Sequence, residues 1–122
     1  MVDFAYYNAN VYGTEEEDCV TRAIKLGTGL SYHTVSRLLD MAQDYYGCDK
    51  LCVGCYGKLL SEVFKFPIRY CNGETVEEVA RMFPYNIVII RIDGHLTASV
   101  MGIVSDIWDC SKKSVDRYWI AT

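Results

Sequence analysis

Six cysteines and two histidines are the residues of this chain that could carry nucleophilic chemistry near neutral pH. The attacking species is the thiolate. A free thiol titrates at about 8.5, and a helix N-terminus with an adjacent imidazolium lowers that to as little as ~3.5. Cys19 is placed for such activation, because it opens the segment Cys19-Val20-Thr21-Arg22-Ala23-Ile24, in which Val20, Ala23 and Ile24 recur at helical spacing. The run Glu15-Glu16-Glu17-Asp18 before it suits a helix start, with Asp18 as N-cap and Gly27 and Gly29 as the stop. Those four carboxylates also oppose thiolate formation, and as an acidic rim they favour a cationic or amine-bearing substrate.

The imidazole partner comes from the other end of the chain. From Asn86 the texture becomes β-branched and aliphatic, with runs Ile87 to Ile92, His95 to Val100 and Ile103 to Trp108 separated by the turn dipeptides Asp93-Gly94 and Met101-Gly102. A two-residue turn at Met101-Gly102 sets Val100 against Ile103, Thr97 against Asp106 and His95 against Trp108. Parity then puts His95, Thr97, Asp106 and Trp108 on one side, with Asp106 diagonal to His95, whereas Asp109 points the other way unless a bulge intervenes. Thiol, imidazole and carboxylate are the parts of a Cys-His-Asp triad: Cys19 as nucleophile, His95 as base and acid, Asp106 as the group that orients the ring. The second histidine, His33, lies off the apolar stripe of its helix and reads as a solvated residue.

The segments Asp18-Cys19-Val20-Thr21-Arg22-Ala23-Ile24 and Gly94-His95-Leu96-Thr97-Ala98, followed by Asp106-Ile107-Trp108-Asp109 and Tyr118-Trp119, resemble a group of small papain-like proteins common in bacteriophage genomes. In layout these are similar to the bacteriocin-processing cysteine peptidases. The resemblance runs from Cys19 to Trp119 and implies a papain-like α+β fold, with Cys19 and His95 at the nucleophile and base positions. It implies a thiol-dependent amide-bond hydrolase acting on a peptide or protein in a bacterial cytoplasm, and no particular substrate. A non-catalytic module on the same scaffold, binding a host protein through an acidic and tyrosine-rich surface, is the alternative. Papain-type enzymes carry a glutamine oxyanion donor six residues before the nucleophile; here that position is Gly13, which leaves Asn10 and Thr14 as candidates beside the backbone N–H of Cys19.

The elements that must position these groups read as helices first and an antiparallel meander second, the α+β class. Ser31 caps a helix whose Tyr32, Val35, Leu38, Leu39 and Ala42 form one stripe ending at Gly47; Leu59, Leu60, Val63 and Phe64 predict a shorter third helix. Pro67 precedes a short strand from Ile68 to Cys71, and Thr75-Val76-Glu77-Glu78 is a capping box for a helix reaching Phe83. Arg117 to Ile120 adds a last strand. Residues 1–14, rich in Tyr, Asn and Gly, read as an extended arm laid over the domain.

A chain of 122 residues that is 51% apolar suffices for one domain with one core. Its net charge of -4 offers no basic stripe for nucleic acid, and no apolar run is long enough to span a bilayer. A cytoplasmic protein with free thiols is expected, without cofactor. The cluster Cys48, Cys52, Cys55, with Cys71 further on, could close a four-thiolate zinc site; its spacing is not a repeated Cys-x2-Cys pair, and free thiols are the other reading.

Overall fold

The computed structural model describes residues 4–10 and 18–122. Its elements are β1 (Phe4–Tyr6), α1 (Cys19–Thr28), α2 (Tyr32–Tyr46), α3 (Val53–Lys58) running on into a π-helical turn (Leu59–Val63), β2 (Ile68–Tyr70), α4 (Val76–Met82), β3 (Ile87–Ile92), β4 (His95–Val100), β5 (Ile103–Asp106) and β6 (Val115–Ile120). The class is α+β, as the sequence reads.

The local signals set most boundaries. Ser31 accepts a hydrogen bond from the Thr34 N–H, the Thr75/Glu78 capping box is complete, and α1 and α2 end on Gly29 and Gly47 in the left-handed conformation. Gly27 does something other than stop α1. It lies inside the helix, where a Cβ would come within 2.4 Å of Ile89 Cδ1, so its missing side chain lets α1 lie close on the sheet. The third helix also begins earlier than expected, taking in part of the cysteine-rich connection.

One sheet collects all the described strands in the order β1-β5-β4-β3-β6-β2. It is mixed, which corrects the expectation of a purely antiparallel meander. β3, β4 and β5 do form consecutive hairpins, but β6 returns to the far side of β3, and β1 pairs with β5 in parallel. Parallel pairing joins segments far apart in sequence, so no local pattern announces it. The arm expected at the N-terminus is thus partly a strand, and Ala9 and Asn10 beyond it are buried.

Alternation along the strands makes two cores, one on each face of the sheet. Ile89, Leu96, Ala98 and Trp119 pack with Val20, Ile24, Val35, Leu39 and Leu60 from the first three helices. Val88, Ile90, Ile92, Val104 and Tyr118 pack with Val76, Val79 and Ala80 of α4. Each such aliphatic side chain contributes about 1.5–3 kcal/mol on burial. Val20 and Ile24 therefore fix α1 against β3 and β4, and with it the position of Cys19.

Candidate active site

Cys19 is the first residue of α1, at the positive end of a ten-residue helix. Asp18 occupies the N-cap position, but its side chain makes no capping bond. Its carboxylate instead pairs with Arg22 one turn on, and accepts hydrogen bonds from Tyr32 Oη at 2.7 Å and Asn10 Nδ2 at 3.0 Å. The expected cap has become the centre of a buried polar knot, because three donors compete for it with the helix amides.

The opposite wall is the start of β4. His95 and Leu96 line the same cleft as the Cys19 thiol and are its closest electrostatic influences. His95 Nε2 stands 2.7 Å from Asp106 Oδ2. The diagonal partner anticipated from a two-residue turn is therefore in contact. That turn is present: Val100 pairs with Ile103 and Ser99 with Val104, while Met101 and Gly102 have φ of 53° and 81°. Asp109 accepts a bond from Ser111 N–H at 3.1 Å, and it is Asp106 that meets the ring.

The electrostatics follow from these contacts. Burial raises the Cys19 thiol, but hydrogen bonds from His95 and Leu96 and the imidazolium charge outweigh it, and the net direction is down from 9.0. Burial works against a charged His95, yet bonds to Asp106, Cys110 and Cys19 prevail and carry the ring up to about 11. Asp106 is likewise held below the usual carboxylate range, its burial outweighed by the bond from His95. Both shifts run the same way: they favour the charged imidazolium and make the thiolate easier to form than in a free cysteine.

Arg22 and Cys110 carry no signal in the sequence pattern, whereas Trp108 is the residue that strand parity set against His95. Arg22, 6% exposed, reaches from Asp18 toward Asp106, with Nη2 3.6 Å from Oδ1. Trp108 sets its ring edge-on to His95, centroids 4.9 Å apart, and shields one side of the imidazole. Cys110, fully buried, brings a second thiol to His95 and Asp106, all three donor atoms lying within 4.8 Å of one another. A cleft of about 340 Å³ opens beside the thiol, between the starts of α1 and α3 and the β3–β4 turn.

The remaining expected residues divide. Asn10 is buried near α1, but its amide N–H is given to Asp18 rather than aimed at the thiol. Gly13, Thr14 and Glu15 to Glu17 lie outside the described residues. Cys48 and Cys55 neighbour each other in the helical core, with Cys52 exposed close by. Cys71 packs into the other core, beside Glu74 and Asp116. The four thiols do not converge, because Cys71 enters β2's end of the opposite layer. His33 is exposed, as its place on α2 implied.

No described helix is long and apolar enough to cross a membrane. Comparison of the chain with family models, curated proteins and solved structures finds no match.

Proposed function

We propose that this protein is a papain-like, thiol-dependent amide-bond hydrolase, phage-encoded and acting on a peptide or protein in the bacterial cytoplasm. The observation that carries this reading is the convergence of Cys19, His95 and Asp106: a thiol at a helix start, an imidazole beside it, and a carboxylate 2.7 Å behind the imidazole. In the first step the Cys19 thiolate attacks the carbonyl carbon, and the C=O electron pair moves onto oxygen. The backbone N–H of Cys19 at the helix start is available to that oxyanion. As the intermediate collapses, the C–N bond breaks and His95 gives its proton to the departing amine, leaving a thioester. Water then attacks the thioester with His95 taking its proton, and thiol and carboxylic acid are released. Asp106 engages Nε2, which leaves Nδ1 to give and take the proton on the thiol side.

The second reading, a non-catalytic module that binds a host protein, is favoured by two observations: the Asn10 amide donates to Asp18, and Tyr6, Tyr7, Tyr70 and Tyr85 are exposed. Alkylation of the native protein by iodoacetamide, followed cysteine by cysteine by mass spectrometry, separates the two. The hydrolase reading expects Cys19 to react faster at pH 6 than the exposed Cys52, and to slow when His95 is replaced by Ala. A Cys19 no faster than Cys52 hands the scaffold to the binding reading.

A further inference from the structure

The row of side chains leading away from the thiol carries a positive charge that the triad does not use. Leu96, which lines the cleft beside Cys19, pairs across the sheet with Arg91, and Arg91 pairs in turn with Arg117. Adjacent strands lie about 5 Å apart, so Arg91 stands one strand from the sulfur and on the same face as Leu96. It lines the cleft together with Tyr56, whose hydroxyl is one of the groups that raise the guanidinium's pKa.

A β-bulge decides the charge there. Between Arg91 and Ile92 the register of β3 against β6 slips, so that Ile92 faces Val115 and Asp116 is the extra residue. Its carboxylate is turned onto both guanidiniums, 2.9 Å from Arg91 Nη1 and 2.5 Å from Arg117 Nε. Two cations thus share one anion, and the group keeps a net charge of about +1. Asp93 also lines the cleft, but it is exposed on the β3–β4 turn, where water screens it. The cationic substrate expected from the acidic run rests on Glu15 to Glu17, outside the described residues; Asp18, its described member, is neutralised by Arg22.

We propose that Arg91, backed by Arg117 and Tyr56, is an anion subsite of the Cys19 cleft, taking a substrate with a carboxylate within one residue of the bond attacked. The inference rests on the hydrolase reading. A carboxylate there has two sources, a free peptide C-terminus or an acidic side chain, and both present the same two oxygens to a guanidinium.

Three bromoacetyl compounds test it with the full chain: bromoacetyl-glycine, bromoacetyl-aspartic acid diamide and the neutral bromoacetyl-glycinamide. In each, the thiolate forms a C–S bond at the methylene carbon and bromide leaves with the C–Br electron pair. The expected result is that Cys19 reacts about tenfold faster with a carboxylate-bearing compound than with the neutral one. That preference should fall severalfold in Arg91→Gln, persist in Arg91→Lys, and increase in Asp116→Asn, which removes the shared anion. Whichever anionic compound is faster identifies the source. If Cys19 reacts fast but without preference, or the preference survives Arg91→Gln and ignores Asp116→Asn, the subsite is refuted and the triad stands. If Cys19 is slow toward all three, the hydrolase reading and the subsite fall together.

Discussion

Arg22 and Asp106 stand 3.6 Å apart, Nη2 to Oδ1, with both side chains almost fully buried. The two oxygens of Asp106 are divided: Oδ2 meets His95, while Oδ1 accepts the Ile107 N–H at 2.7 Å and faces Arg22. Arg22 also holds Asp18, immediately before the thiol. One guanidinium therefore ties α1, which opens with Cys19, to β5, which ends on the carboxylate that meets His95. Arg22 is a positioning residue, acting through Asp18 and Asp106.

Replacing Arg22 with Met leaves the buried Asp18 carboxylate without its cation and Asp106 with His95 alone, and should cost about 3–5 kcal/mol of stability. Arg22→Lys keeps the charge but loses the planar fork, and should recover part of that. Urea midpoints measure the loss. The pH profile of Cys19 alkylation measures the positioning role: it should move to higher pH in Arg22→Lys, and an unmoved profile would confine Arg22 to structure.

The ion pair sets a direction for pH dependence. His95 is raised from 6.5 to about 11, so its contribution to stability is complete below 6.5 and is lost as pH rises toward 11. Native protein should accordingly exceed His95→Gln in stability by more at pH 6 than at pH 10, as read from urea unfolding at both. In the same variant the Cys19 thiol loses its stabilising partner while its burial remains, and its titration should rise above the free-thiol range. A thiolate absorbance titration at 240 nm, compared with Cys19→Ala, checks that shift.

The turn that sets the β4–β5 register is strained on one side. Met101 has φ of 53°, where an L side chain costs roughly 1 kcal/mol more than Asn or Gly. Met101→Asn should stabilise the protein by about 0.5–1 kcal/mol without moving His95 relative to Asp106. Gly102→Ala should destabilise it, since a Cβ there is strained at φ of 81° and comes within 3.3 Å of Pro84 Cα. Thermal midpoints of the two variants should shift in opposite directions.

With Cys71 in one core and Cys48 and Cys55 in the other, a chelator should leave the thermal midpoint where it was. A fall of more than a few degrees on EDTA treatment that Cys71→Ser abolishes would show a metal held by these thiols, and would overturn their separation.

Much of the site was legible because it depends on short-range rules. Helix caps and glycine stops placed Cys19 at a helix start, and a two-residue turn fixes parity on both sides of itself, which is why Asp106 rather than Asp109 could be matched to His95 before any coordinates. The acidic run was legible as a helix start but not in its geometry: Asp18 turned from capping to Arg22, because side-chain donors from Tyr32 and Asn10 arrive from elsewhere in the chain.

By itself, then, the sequence determined the class, most of the elements, and the one strand pair whose register joins the imidazole to its carboxylate, since each follows from local periodicity and turn chemistry. Only the tertiary structure decided that α1 lies close on β3 through Gly27, that β1 joins the sheet in parallel, and that a bulge turns Asp116 onto Arg91 and Arg117. Those are agreements between segments distant in the chain, where the free energy depends on who meets whom across the core. No window of neighbouring residues contains that information.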